Sequence, residues 1–249
     1  MGKDKYVLGI DVGGSGIKGA PVDIKRGQLL GERLRLDTPQ PATPKAVAKV
    51  FAELVKMHDW TGPIGCGFPA IVRRGVAHSA ANIDKKWIGK DVQKLFSKAC
   101  GCPVRVINDA DAAGMAAVRF GAGQKVEGTV LMLTIGTGIG SALFIDGKLV
   151  PNTEFGHLYF KGMIAEHYAA NSVRKNENLT WEEWGMRFND FLLHIDRILS
   201  PDLVILSGGA SKRFDEYRHL ITSETKIIPS AMLNDAGTVG AAVYAWENL

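Results

Sequence analysis

The chain has 249 residues, 46% of them hydrophobic and 22% charged, and a formal net charge of +4. This is an ordinary folded-protein composition, large enough for one big domain or two small ones. No apolar run approaches the roughly 20 residues of a membrane span, so no membrane partner is expected, and the mild positive charge only hints at an anionic partner. The opening MGKDKYVLGID runs almost directly into a strand, and no signal peptide is expected. Cys66, Cys100 and Cys102 are too few for a disulfide framework and leave no second pair for zinc, so reduced thiols in a cytoplasmic protein are expected.

In chain order, VLGIDVGGSGIKGA at residues 7–20 matches G-x-G-x-x-G through Gly14, Gly16 and Gly19. A dinucleotide loop should lead into a helix. Here it leads to Pro21, which would disrupt a helix interior, then to a Lys25-Arg26-Gly27 turn and to QLLGERLRLDT with strand-like alternation. The pattern predicts strand, glycine turn, strand, turn, strand, and the dinucleotide reading fails. Asp11 stands at the strand end just before the glycine tip, a position suited to a carboxylate beneath phosphates that holds a metal-bound water. TPKAVAKVFAELVKMH predicts a helix with Thr43 as N-cap and Pro44 at N1. IGCGFPAIV reads as a strand entering a turn, and VRVINDADAAGMAAVRFG as a strand running into a helix.

TVLMLTIGTGIGSALFIDGKLV, residues 129–150, repeats the first plan. Val7-Leu8 matches Val130-Leu131, and Val12-Gly13 matches Ile135-Gly136. The two glycine-tipped hairpins stand about half a chain apart, which predicts a duplicated α/β unit. Facing each other across a cleft, they would offer backbone N–H groups to one polyphosphate. Thr180 and Glu183 form a T-x-x-E capping box. After it, Trp184, Phe188, Phe191, Leu192, Ile195 and Leu199 mark one helical stripe that should enter the core. LVILSGGAS reads as a short buried strand ending in a Gly-Gly turn, and AGTVGAAVYAWENL as a closing helix.

Phosphoryl transfer to an alcohol needs a base for the hydroxyl and donors for developing charge. Asn108-Asp109, at the end of a predicted strand, fits the base, although the same pair also makes a good helix cap. In EFGH, Glu154 and His157 flank a glycine, and carboxylate beside imidazole suits vicinal sugar hydroxyls. Lys86, Lys90, Lys94 and Lys98 recur every four residues, while Val92, Leu95, Phe96 and Ala99 form an apolar stripe. From about residue 90 the lysines should line one exposed helix face, either a solvated surface or a track for a long polyanion.

Together DVGGSGIKG, AANIDKKWIG, NDADAAG, LTIGTGIGSA, PNTEFGHL and the closing VGAA resemble the ROK sugar kinases, specifically their polyphosphate-using branch. The resemblance spans almost the whole chain. It implies the two-lobed α/β fold of the actin-like ATPases, a duplicated ribonuclease H-like unit with an interlobe cleft. The lobes would be residues 1–110, with the closing helix 237–249 packed back on them, and residues 111–236. It implies phosphorylation of glucose at the 6-hydroxyl by inorganic polyphosphate or ATP, with Mg2+ and a homodimer.

Position by position, the resemblance makes Asp109 the general base. Asn82, Asn108, Glu154, His157 and Glu166 become sugar ligands. Asp11, Gly13, Gly14, Ser15, Gly16 and Lys18 match the first phosphate motif, with Asp11 toward magnesium. Thr134, Gly136, Thr137 and Gly138 match the second, and Gly208 and Gly209 fall where the fold places a nucleoside. Many relatives carry a cysteine-rich zinc knuckle after the EFGH motif; no cysteine follows Cys102, so no zinc is expected. Ala70 stands where many relatives have glycine. There is no room for the N-terminal helix-turn-helix of the family's repressors, so no nucleic-acid partner is expected. An ATP-only hexose kinase of the same fold, or a non-catalytic sugar sensor or assembly protein, are the alternatives.

Overall fold

The computed structural model describes residues 6–81, 83–231 and 235–249. It divides into two units, Met1–Ala116 with Asn234–Leu249, and Ala117–Leu233.

In the first unit, β1 (Tyr6–Val12) and β2 (Gly16–Asp23) form the antiparallel hairpin expected of the glycine motif, with Val12 opposite Ile17. The stretch read as one strand after it is two, β3 (Gln28–Leu29) and β4 (Leu34–Asp37), both paired to β2. The break falls opposite Ala20 and Pro21, because proline has no N–H to continue a ladder. Pro21 still accepts at its carbonyl, from the Leu30 amide at 2.8 Å. Helix α1 (Pro44–Met57) starts where Thr43 caps it, its side chain accepting from the Ala46 amide at 3.4 Å. β5 (Ile64–Phe68) follows, then the small hairpin β6 (Val72–Arg73) and β7 (Val76–Ala77), α2 (Val92–Cys100), β8 (Val104–Asn108) and α3 (Asp109–Phe120). The sheet order is β3-β2-β1-β5-β8, with β1, β5 and β8 parallel. Phe51 stacks on Phe96 at 4.2 Å between centroids, and Phe68 and Trp87 meet Phe96 and each other edge-on in one apolar core.

The second unit repeats the plan. β9 (Thr129–Ile135) and β10 (Ile139–Ile145) form a hairpin, β11 (Lys148–Val150) extends it, and the hairpin β12 (Tyr159–Phe160) with β13 (Met163–Ile164) follows. Then come α4 (Glu166–Ala169), α5 (Asn171–Asn176), α6 (Trp181–Leu199), β14 (Leu203–Gly208) and β15 (Lys226–Pro229). Its sheet order, β11-β10-β9-β14-β15, with β9, β14 and β15 parallel, is the first sheet's order again. The predicted capping box opens α6, with Glu183 N donating to Thr180 Oγ1 at 3.1 Å and Thr180 N to Glu183 Oε2 at 2.8 Å. Its stripe of Trp184, Phe188, Phe191, Leu192 and Ile195 is buried, and Leu199 packs at its edge.

The closing helix α7 (Ala236–Glu247) belongs to the first unit, where it lies against β1, β5 and β8. Its approach is so close that a Cβ on Gly65 would overlap the Ala241 carbonyl, and one on Gly240 the Ala112 carbonyl. Small residues there are what allow α7 to press flat on the sheet and on α3 at once. Among the described residues no helix is long and apolar enough to cross a membrane.

Candidate active site

The first unit brings Asp11, Lys18, Asn108 and Asp109 to one end of its sheet. Lys18 stands opposite Asp11 in the β1–β2 register. A Cβ on Gly67 of β5 would sit 3.7 Å from Asp11 Oδ1 and 3.7 Å from the Asp109 Cα, so the two acids flank one bare point of the strand between β1 and β8. Burial pushes the Asp11 carboxyl up from its ordinary value, and the charges of Lys18 and Arg33 only partly counter it. Arg33 is held 3.0 Å from Asp235 at the start of α7.

Asn108 is the helix cap. Its Oδ1 accepts from the Ala110 amide at 2.8 Å and the Asp111 amide at 3.1 Å, and its Nδ2 donates to the Ala70 carbonyl at 3.1 Å. Those bonds leave one side-chain hydrogen for a ligand. Asp109 then opens α3 on the exposed side, its Oδ1 accepting from the Ala110 amide at 2.9 Å. The N-terminus of α3 favours negative charge at that place.

The two glycine tips are built alike, although the first is one residue longer: residues 13–16 lie between the last paired residues, against 136–138 in the second. Gly13 N donates to Gly16 O at 3.0 Å, and Gly136 N to Gly138 O at 3.0 Å. Side chains from later elements take up the tip carbonyls. Thr38 Oγ1 donates to Gly13 O at 2.6 Å, Gln40 Nε2 to Gly14 O at 3.3 Å, and an Arg35 guanidinium nitrogen to Ser15 O at 3.1 Å. Ser172 does the same on the second tip, its amide donating to Gly136 O at 3.1 Å and its hydroxyl to Thr137 O at 2.5 Å. Among the described residues, the amides of Gly14, Ser15, Thr137 and Gly138 donate to no protein acceptor. Carbonyls taken up by the protein, with amides left over, give each tip donors of the kind that can receive an anion. Arg35, Thr38, Gln40 and Ser172 carry no motif of their own, and pattern reading passes over them. Thr134 lies on β9 beneath the second tip, with a buried hydroxyl that finds no partner among the described residues.

The second unit brings Glu154, His157 and Glu166 together. His157 Nδ1 lies 3.1 Å from Glu154 Oε2, and its Nε2 lies 3.7 Å from Glu166 Oε1. The short 3-10 turn carrying Phe155–His157 is fixed by Ser141, another residue without a motif. Ser141 Oγ accepts from the Phe155 amide at 2.9 Å and donates to the Thr153 carbonyl at 2.6 Å. Gly156 is buried so tightly that a Cβ there would overlap the Ile139 carbonyl. Glu166 also touches the second tip, accepting from the Ile139 amide at 3.1 Å and lying where a Gly138 Cβ would be. One carboxylate therefore joins the Glu154–His157 pair to the second glycine hairpin.

Gly208 ends β14 at φ +84°, pressed against the Ile135 backbone, and Gly209 stands beside the Asn171 side chain. Asn82 lies outside the described residues. The lysine row differs from expectation. Asp91 caps α2, so the helix starts at Val92 and only Lys94 and Lys98 ride on it. Lys86 sits in a 3-10 turn and Lys90 in the link before the cap. All four are exposed, and Lys94 pairs with Asp91 at 3.0 Å. An aspartate one residue before Val92 is a strong stop to helix growth toward the N-terminus, which spacing alone does not register.

Asp11 fits a magnesium site by its donor chemistry. It is a desolvated carboxylate faced by Gly67 and Gly237, with no side chain over it from either. Among the described residues no three His, Cys, Asp or Glu side chains gather as a metal cage. Magnesium is commonly bound through one or two carboxylates, water and substrate phosphate.

Comparison with known proteins identifies the family and the fold. The profile of the ROK family matches residues 7–168. A polyphosphate glucokinase of Mycobacterium tuberculosis (strain CDC 1551 / Oshkosh) is 48% identical over 240 residues, covering 96% of this chain and 91% of that protein. The crystal structure of an inorganic polyphosphate/ATP-glucomannokinase from Arthrobacter sp. strain KM superimposes with a TM-score of 0.94 at 47% identity, covering 99% of this chain and all of that one. A ROK glucokinase from Streptomyces griseus, solved with glucose and AMPPNP, matches with a TM-score of 0.80 at 23% identity and shares the fold. The duplicated sheets are those of the actin-like ATPase fold, as the sequence resemblance implied.

Proposed function

This chain belongs to the ROK family, and on that premise we propose that it phosphorylates glucose at the 6-hydroxyl with inorganic polyphosphate, and with ATP as a second donor. The observation that carries the reading is the joined cluster of Glu154, His157 and Glu166 on a glycine tip, in a chain so similar to polyphosphate-using glucokinases.

Asp109 is the base that accepts the proton of the 6-hydroxyl as its oxygen attacks the terminal phosphorus. Asn108 locks the start of α3 and so fixes where Asp109 stands; its remaining amide hydrogen is assigned to the sugar. Glu154, His157 and Glu166 are assigned to the other sugar hydroxyls, with Asn82. The amides of the two tips, with Lys18, receive the donor phosphates; Thr134 serves the second tip. Gly208 and Gly209 make room for a nucleoside when ATP is the donor. Fixed dipoles and cations of this kind stabilise charge on the transferred group without having to reorganise. Magnesium, held at Asp11 with water and donor phosphate, would supply further neutralisation of that charge. A homodimer, implied by the family resemblance, and a cytoplasmic location, argued from the few cysteines, belong to the same proposal.

The test is formation of glucose 6-phosphate from glucose and Mg2+ with long-chain polyphosphate or ATP as sole donor. Turnover with polyphosphate is expected. Turnover with ATP alone would leave a hexose kinase of the same fold and remove the polyphosphate reading. No turnover with either would leave a sugar-binding protein.

A further inference from the structure

A groove of about 600 Å³ runs between α1 and α2. Pro44, Ala48 and Ala52 of α1 and Leu95 and Ala99 of α2 floor it, and Lys45, Lys49 and Lys90 stand around it. These three lysines are exposed. Among the described residues neither they nor Lys86 or Lys98 form an ion pair. Asp91 also lines the groove, but its carboxylate is engaged by the Lys94 amide at 2.9 Å and the Lys94 ammonium at 3.0 Å. Three exposed cations against one acid already paired with Lys94, over small apolar residues, make a net-positive cleft with low-dielectric walls, which focuses its field on an anion. Small side chains keep the groove open, and lysine stems can lie along its walls with their ammonium heads over it.

The groove is tied to the first glycine tip by a short run of bonds. Gln40 braces the tip at the Gly14 carbonyl, and Lys45 comes five residues later, at most about 18 Å along an extended chain. Between them, the Ala42 carbonyl accepts from the Trp87 indole at 2.9 Å, and the Trp87 carbonyl accepts from the Lys90 amide at 2.9 Å. The lysine-bearing segment 86–90 is therefore pinned to the link that joins the tip to α1.

We infer that this groove holds the distal part of a long inorganic polyphosphate whose reacting end lies at the first glycine tip, with Lys45, Lys49 and Lys90 as its ammonium ligands. The inference rests on the polyphosphate reading above and extends it from the reacting phosphates to the tail. It replaces a track along one helix face with a groove between two helices, and adds Lys45 and Lys49, which belong to no motif. A nucleotide has too short a phosphate chain to need this groove, so it serves one donor only.

The test compares the wild type with the triple variant Lys45→Gln, Lys49→Gln, Lys90→Gln and with the matching triple arginine variant. Binding is followed with end-labelled long-chain polyphosphate over a salt series, and turnover with the same polymer and with ATP. The glutamine variant should bind the polymer at least tenfold more weakly. Its log–log salt slope should be shallower by about 2, as expected for three lost contacts to a flexible polyanion. Its KM for the polymer should rise with kcat kept, and ATP turnover should stay unchanged. The arginine variant should behave as wild type. Equal polymer binding by wild type and glutamine variant would overturn the inference, as would equal losses with polymer and ATP. Weakened binding of RNA or polyglutamate with polymer binding intact would overturn it too. A wild type that turns over ATP alone would defeat the polyphosphate reading, and the binding series would still decide the groove.

Discussion

Replacing Asn108 with alanine removes three hydrogen bonds at the point where strand becomes helix. Loss of the cap oxygen costs about 1 kcal/mol. The Ala70 carbonyl, in a buried residue, loses its donor, at about 1–3 kcal/mol. The sum is about 3 kcal/mol, which lowers the melting temperature of a chain this size by about 6–12 °C. Asp109 is the next residue, and a displacement of its carboxylate by about 1 Å is enough to reduce turnover on the order of 100-fold. Asn108→Asp keeps an oxygen for the Ala110 and Asp111 amides but offers the Ala70 carbonyl no donor at neutral pH, so it should recover the cap's share alone. Thermal melts of the three proteins, with glucose kinetics alongside, measure both effects. An alanine variant that melts with the wild type while its glucose KM rises would refute the reasoning, and would make Asn108 a sugar ligand with no structural burden.

Burial raises the Asp11 carboxyl above its unfolded value, so its ionised form is disfavoured in the folded protein. Stability is lost as pH rises from the unfolded value through the folded one, and the loss persists at neutral pH. Asp11→Asn should therefore raise the melting temperature of the metal-free protein at pH 7 and abolish magnesium-dependent turnover; a lower melting temperature would contradict the burial argument. Gly138→Ala places a methyl where Glu166 now sits and should push that carboxylate off the Ile139 amide. A large fall in kcat/KM for glucose, with the fold kept, is expected in steady-state kinetics; wild-type kinetics would show that Glu166 has no part in the site.

Much of the first unit's sheet is legible because its punctuation is chemical. Pro21 forbids a helix after the glycines, and the glycine tips recur in matching frames, so the residues alone reveal the duplication. The helix starts at Thr43 and Thr180 are legible for the same reason: a cap is a local bond between near neighbours. What stays illegible is what depends on distant partners. Nothing near Ser172 or Thr38 in the sequence points to a glycine tip 35 or 25 residues away. Ser141 lies in a strand, and only folding brings it under the EFGH turn. The lysine spacing misleads because periodicity is blind to where a helix begins, and Asp91 sets that beginning. In the site, residue types are readable, but the link from Glu166 to the second tip exists only once the chain is folded.

The most direct test of the central claim is Asp109→Asn, with glucose binding and glucose 6-phosphate formation measured on the same preparation. The carboxamide keeps the shape and can still accept from the Ala110 amide, but it cannot take a proton. Glucose affinity close to wild type with turnover reduced by a factor on the order of 100–10,000 is the predicted result. Turnover within a few fold of wild type would contradict the account and send the search for the base elsewhere.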